Sequence, residues 1–351
     1  MRILIVGLGY AGTRFRIAFQ NTGTPCEFAH AGRSRRDPEL PYYASVREAL
    51  AAFRPDVVVV TVPDGAHAGI LASLAGYEGF VVAEKPLVTS RDDITAVRSA
   101  LAGTSGFCLD LVERYSQATV RLRDHVREHG LSLVRAHFTW GKDRIGDHRP
   151  TTGVASEVIH PLDLVQWIAG DGAELSLTSA LGTRSDFSVS GSEVLDSVAV
   201  SGRLGPGAVT GYSSFVNITR RREVDFVFRA PDGELHYAAA VYDTPAWDAD
   251  RLRVWHRTSA GDEELLALDT GSRPVAEHEK TVVKLGRMAA DVARFVTDGA
   301  PPAQPFPGLS DALALQRLLN TVEREARTTG PVSYFPGGRT LLQESDWERL
   351  G

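Results

Sequence analysis

The most constraining feature of this chain stands at its start. The apolar run Arg2–Val6 leads without a break into Gly7-Leu8-Gly9-Tyr10-Ala11-Gly12, and a helical pattern, Ala11–Gln20, continues from it at once. A G-x-G-x-x-G spacing at a strand-to-helix junction uses its first glycine for a tight turn, its second for close approach of a ligand to the backbone, and its third for helix–strand packing. The junction also points backbone N–H groups from a helix N-terminus at whatever lies above the loop, which suits the pyrophosphate of a dinucleotide. Gly7, Leu8, Gly9, Tyr10, Ala11 and Gly12 are therefore read as cofactor-binding.

The next hundred residues extend that beginning into a domain. Apolar runs alternate with helical patterns: strand Cys26–His30, helix Val46–Ala52, strand Val57–Val62, helix Ala66–Leu74, strand Phe80–Ala83, helix Arg91–Ala102 and strand Gly106–Leu111. Val57-Val58-Val59-Val60 is apolar on both faces, the texture of a parallel strand covered by helices on either side. The expectation is an α/β chain whose residues 1–120 form a doubly wound, NAD(P)-binding Rossmann domain. After a helix at Gln117–His129 the pattern becomes alternating strands, Ser132–Trp140, Leu175–Gly182, Ser197–Leu204, Ala208–Val216, Glu223–Arg229 and Leu252–Arg257, with turns at Pro231-Asp232-Gly233 and Ala260-Gly261-Asp262. Residues 121–305 are expected to form an α+β domain with a largely antiparallel, open sheet for substrate and oligomerisation, interrupted by helix Val154–Ala169 and ending with a helix over Thr281–Thr297. Residues 306–351, with a helix at Asp311–Ala326, close the chain against the core.

Composition narrows the function classes. A net charge of −6 over 351 residues gives no general attraction to nucleic acid or anionic lipid, and no run approaches the ~20 apolar residues of a membrane helix. Neither partner is expected. Cys26 and Cys108 are far apart, without C-x-x-C spacing or a signal peptide ahead of them, which fits buried thiols in a reducing, cytoplasmic setting. Lysine occurs only at Lys85, Lys142, Lys280 and Lys284 in a chain whose other basic residues are arginine. A retained lysine therefore asks for an explanation.

The second strand ends where a dinucleotide places its adenosine ribose. An acid there binds the 2′-hydroxyl of NAD, and a basic side chain accepts the 2′-phosphate of NADP. Here the strand runs into Ala31-Gly32-Arg33-Ser34-Arg35-Arg36, with no carboxylate before Asp37. Arginine meets a phosphate with a bidentate fork. NADP(H) is thus favoured over NAD(H), with Arg33, Ser34 and Arg35 as the contacts.

Two further segments carry a family resemblance. Thr61-Val62-Pro63-Asp64-Gly65-Ala66-His67 with Glu84-Lys85-Pro86, and Gly153-Val154-Ala155-Ser156-Glu157-Val158-Ile159-His160-Pro161-Leu162-Asp163, resemble the Gfo/Idh/MocA oxidoreductases, and Glu113-Arg114-Tyr115 extends the likeness. The resemblance implies a nicotinamide cofactor bound with help from Val62, Pro63, His67, Glu84 and Lys85. It also implies that Lys85 lies beside the reacting carbon and that His160 is its acid–base partner. Elementary chemistry agrees on Lys85, because desolvation can bring a lysine pKa toward working pH and cannot do so for arginine.

Ser156, Glu157, His160 and Asp163 recur at helical spacing and share a face, so a carboxylate flanks the imidazole on each side. The commonest family pattern puts an aspartate four residues before the histidine. Ser156 stands there in this chain, with the acid moved to Glu157, which either faces substrate or orients His160. Arg114, Tyr115, His148 and Asp163 are the expected substrate contacts, with Lys142, Arg144 and Arg149 in the loop around His148. His67, His148, Glu157 and His160 could in principle hold a metal, but none of them stands at tight ligand spacing, and no metal is expected.

The reading is an NADP(H)-dependent dehydrogenase or reductase. It exchanges a hydride with a carbonyl or hydroxyl carbon of a sugar, cyclitol or related polar metabolite, with Lys85, His160 and Glu157 in catalysis and a homo-oligomer formed through the C-terminal sheet. Two alternatives stand beside it, an imine or C=C reductase of the same family and a regulator that senses NADP without turnover.

Overall fold

The computed structural model describes residues 1–145, 151–170, 172–191, 194–272, 275–276, 279, 281–328 and 330–335. They fall into two compact units, one of residues 1–115 with 275–316 and one of residues 116–274 with 317–351.

The first unit opens with β1 (Arg2–Val6), α1 (Tyr10–Gln20), β2 (Glu27–Ala31), β3 (Tyr42–Tyr43), α2 (Val46–Phe53), β4 (Val57–Val60), α3 (His67–Ala72), β5 (Phe80–Ala83), α4 (Ile94–Ala100) and β6 (Gly106–Leu109). Its six strands are all parallel, in the order β3-β2-β1-β4-β5-β6, the arrangement of a dinucleotide-binding sheet. β4 and β5 are fully buried along their length, as their unbroken apolar sequences require. Helix α2 starts on a serine N-cap: the Ser45 side chain accepts from the Glu48 backbone N–H, and Glu48 places an acid in the first turn. The two-residue β3 lacks any hydrophobic periodicity, which is why the sequence shows no sign of it.

The second unit contains α5 (Gln117–Glu128), β7 (Ser132–Asp143), α6 (Ala155–Ala169), β8 (Leu175–Ser185), β9 (Val194–Leu204), β10 (Gly207–Ser214), β11 (Val216–Arg229), β12 (Leu235–Val241), β13 (Arg251–Thr258) and β14 (Gly261–Asp269). The sheet runs β14-β13-β12-β11-β7-β10-β9-β8. All pairs along it are antiparallel except β7 with β10, so the expected largely antiparallel sheet is present. α6 packs on β7 and β10, and α5 on β12 and β13. The pleat then sorts side chains: Ala136, Phe138 and Trp140 of β7 are buried, while Arg135 and His137 on either side of Ala136 are exposed.

The chain then supplies α7 (Val283–Asp298) and α8 (Leu309–Glu325). α7 lies against α1, and its Leu285, Met288, Ala289 and Val292 join Ile3, Ile5, Phe15, Phe19, Val57, Val59, Phe80 and Val82 in one core cluster. The described residues of 275–305 therefore belong to the first unit, whereas the sequence pattern assigns them to the second domain. An amphipathic helix shows that it has an apolar face, but not which sheet will cover it. Two short strands, Ala326–Arg327 and Pro331–Val332, add parallel to β8 near the end of the described chain.

Candidate functional site

Two of the three glycines of the first loop have a steric reason, and the third borders open space. Gly7 is at φ +96°, and a Cβ there would touch the Thr61 backbone at 3.0 Å. A Cβ on Gly12 would come within 2.4 Å of the Gly7 carbonyl oxygen, so any side chain there forces the loop off the helix. A Cβ on Gly9 would meet nothing within 4 Å. That open space, above a helix whose N-terminus has no side-chain cap and no acid in its first turn, leaves room for a phosphate where its charge is favoured. The residues present thus fit a dinucleotide.

Past the last ladder residues of four adjacent strands, the next residues form a row along the carboxyl edge of the sheet. Thr61 donates its backbone N–H to Val6 (2.9 Å), Glu84 to Val60 (2.9 Å) and Asp110 to Ala83 (2.7 Å), so Gly7, Thr61, Glu84 and Asp110 stand side by side. Thr61 Oγ1 also donates to the Gly7 carbonyl at 2.7 Å, bracing the glycine loop. This is the edge where parallel sheets take ligands. Val62 lies against Gly7, Pro63 is exposed, and Lys85, partly exposed, comes directly after Glu84 and donates its backbone N–H to the Glu84 carboxylate at 3.2 Å.

His67 is held by both of its ring nitrogens. It is 1% exposed, with Nδ1 2.7 Å from the Pro86 carbonyl and Nε2 2.8 Å from the Val62 carbonyl. It ties the segment after β4 to the segment after β5, and so sets where Lys85 begins. Arg114 and Tyr115 are buried as well. Arg114 is buried against Asp311 at 3.0 Å, and Tyr115 lies in the core cluster with its phenol held protonated by burial. Both side chains are buried in the first unit.

Arg33, Ser34, Arg35 and Arg36 are all exposed at the end of β2. Asp37, the first acid beyond the strand, accepts from the Glu39 backbone N–H and is ion-paired to Arg16, and both interactions hold its carboxyl below the usual range. The first carboxylate past β2 is therefore engaged with Arg16 and the Glu39 backbone, and Arg35 donates to the Pro38 carbonyl at 2.6 Å.

In the second unit, Gly153 precedes α6 at φ +74°, and a Cβ there would fall 2.3 Å from the Leu195 carbonyl oxygen. Ser156 donates back to the Gly153 carbonyl at 3.1 Å. Glu157 is wholly buried and ion-paired with Lys142 and, at 3.4 Å, with Arg222, which also pairs with Asp243. The Arg222 guanidinium lies 5.1 Å from the Trp140 ring centre and 5.3 Å from that of Trp247. Glu157 thus sits in an ionic network built across the helix and sheet. Lys142, expected in a loop, stands near the end of β7 and is part of that network. His160 is 6% exposed and stacks on Trp140 with ring centres 5.7 Å apart, and Asp163 is buried. His148 and Arg149 lie outside the described residues.

Sequence reading missed one constellation whose signal was present. His125-x-x-x-His129 stands at the end of α5, and His236 and His256 are register partners on β12 and β13. His125 Nε2 is 3.0 Å from His236 Nδ1, and His256 pairs with Glu234 and, at 3.1 Å, Glu263. Among the described residues no group of His, Cys, Asp or Glu is arranged to hold a metal ion. The cluster instead implies a pH response. Burial, then the charges of His129 and His236, pushes His125 down to about 4 from 6.5, so as pH falls the unfolded chain takes up the proton first. Stability is expected to drain away between about pH 6.5 and 4, offset in part by His256, whose affinity for its proton is raised chiefly by Glu263. His125→Gln is expected to flatten the fall in Tm between pH 7 and 5 by a few degrees. A variant that loses as much Tm as the parent over that range would remove His125 as the cause.

The same architecture recurs among known proteins. Residues 1–108 match the Gfo/Idh/MocA family, described as an oxidoreductase family with an NAD-binding Rossmann fold. No curated protein sequence matches the chain. Among solved structures, a levoglucosan dehydrogenase in complex with NADH and L-sorbose shares 15% identity over 93% of this chain and 96% of its own, with a TM-score of 0.72. An aldose-aldose oxidoreductase from Caulobacter crescentus complexed with glycerol shares 16% over 93% and 97%, with a TM-score of 0.71. A UDP-N-acetylglucosamine 3-dehydrogenase from Acidithiobacillus ferrooxidans shares 16% over 93% and 97%, with a TM-score of 0.69. At these identities the likeness is one of fold. Among the described residues no helix is long and apolar enough to cross a membrane.

Proposed function

We propose that this chain, whose first 108 residues match the NAD-binding Rossmann fold of the Gfo/Idh/MocA oxidoreductases, is an NADP(H)-dependent dehydrogenase or reductase acting on a carbonyl or hydroxyl carbon of a sugar-like metabolite. The observation that carries it is the placement of Lys85 one residue past the row Gly7–Thr61–Glu84–Asp110, on the sheet edge that also holds the open glycine cradle. The bound dinucleotide supplies the hydride acceptor or donor. Gly7, Gly9 and the first turn of α1 hold its pyrophosphate, and Arg33, Ser34 and Arg35 take the 2′-phosphate. The Lys85 ammonium polarises the substrate oxygen, and His160 gives or takes the hydroxyl proton. Glu157, paired with Lys142 and Arg222, acts by orienting the helix that carries His160 rather than by touching substrate. Asp163 is retained as a substrate contact by resemblance. The sugar class is favoured by the fold likeness to a structure that binds L-sorbose and to one that binds glycerol. A homo-oligomer through the face of the second sheet that bears His137, Thr210 and Tyr212, all exposed, is part of the same reading.

Fluorescence titration is the direct check on the nucleotide. NADPH is expected to bind at least about tenfold more tightly than NADH, with Arg33→Ala erasing most of the difference through loss of a charged hydrogen-bonded contact. Equal affinities in the parent chain would overturn the NADP assignment. A screen of aldoses, polyols and cyclitols for nucleotide reduction or oxidation tests the substrate class, and turnover of none of them would overturn that part.

A further inference from the structure

Glu84 and Asp110 occupy equivalent positions on neighbouring parallel strands. Ala83 and Leu109 are register partners, and each acid is the next residue along its strand, on the same face of the sheet. Asp110 is 8% exposed, and its Oδ1 is buried without a hydrogen-bond partner among the described residues. Glu84 accepts from the Lys85 backbone N–H. Two carboxyl groups side by side at a desolvated sheet edge cannot both ionise cheaply. The charged and titratable groups facing them are Arg14 from α1, Lys85 from the segment after β5 and the Cys108 thiol from β6. Burial and then the Glu84 charge push the Asp110 carboxyl well above the usual carboxylate range, against the opposing pull of Arg14 and Lys85.

We propose that Glu84 and Asp110 hold one proton between them and present a single negative charge to Lys85, so that the pair positions the Lys85 ammonium at the sheet edge. The orphaned Oδ1 of Asp110 is the place for that proton or for the oxygen that receives it. Asp110 is a positioning residue here, since it acts through Lys85. For its catalytic consequence the inference rests on the reading of Lys85 given above; the shared proton itself does not.

The arrangement predicts non-additive behaviour. Asp110→Asn leaves Glu84 ionised and so keeps one negative charge beside Lys85, while the double variant with Glu84→Gln removes it. The measurement is the pH dependence of Lys85 acetylation in the full-length protein, by competitive labelling with acetic anhydride and mass spectrometry of the Lys85 peptide. Asp110→Asn is expected to move the Lys85 ionisation midpoint by less than about half a unit, and the double variant to lower it by about a unit or more, the usual effect of losing a close opposite charge. A drop of about a unit in Asp110→Asn alone would mean two ionised carboxylates and overturn the proposal, as would an unmoved midpoint in the double. If Asp110→Asn does not fold, the smaller neutral variant Asp110→Ser takes its place: an unmoved midpoint supports the pair and a drop of about a unit overturns it. The labelling needs neither nucleotide nor substrate. Failure here would leave the redox reading standing, and a chain that turned over no sugar could still show the shared proton.

Discussion

Lys85→Met is expected to reduce turnover by roughly a hundredfold or more while leaving NADPH affinity within a few-fold of the parent, because it removes a charge needed at the substrate oxygen and keeps an unbranched side chain of similar length. The glycine cradle and the arginines after β2, which hold the nucleotide in this proposal, are untouched by the change. kcat should therefore fall together with kcat/KM, the signature of an interaction lost in the transition state. His160→Ala is expected to behave similarly. Steady-state kinetics on any substrate found by the screen, paired with fluorescence titration of NADPH, separates the outcomes. Undiminished kcat in Lys85→Met would remove Lys85 from the mechanism, and a collapse of NADPH binding with it would make Lys85 a cofactor residue instead.

The second large effect concerns stability. Lys284 on α7 and Glu113, just past β6, pair at 2.6 Å with side chains 4% and 2% exposed. Lys284→Met removes the ammonium paired with the buried Glu113 carboxylate, a change that costs about 3–5 kcal/mol when one partner of a buried pair is lost. Neutralising both partners removes the carboxylate's charge as well, so Glu113→Gln/Lys284→Met is expected to recover most of the loss. Urea unfolding monitored by circular dichroism measures both, and a double variant as unstable as the single would show that the destabilisation comes from lost packing rather than an uncompensated charge.

Lys85 and Lys284 together show how far the sequence can be followed. Its scarcity of lysine marks out both, yet the pattern gives them no different meanings. In the structure Lys142 and Lys284 neutralise interior carboxylates, so a retained lysine in this chain is not by itself a sign of catalysis. Lys85 stands out only because it comes next after the row at the sheet edge. The same limit applies to Arg114 and Tyr115, which come after the last Rossmann strand in sequence as a substrate contact would. The Asp311 that pairs with Arg114 lies 197 residues away, and no local pattern points to it.

The sequence by itself determined the strand–loop–helix that begins the chain, the parallel sheet built onto it and the antiparallel sheet after that, because glycine geometry, apolar periodicity and turn chemistry act over a few residues. The tertiary structure alone decided that His67 is a brace, that Glu157 is locked between Lys142 and Arg222, that α7 returns to cover the first sheet, and that Glu84 and Asp110 stand together. Each of these depends on which distant segment supplies the neighbour, and burial and charge pairing are properties of that neighbour as much as of the residue itself.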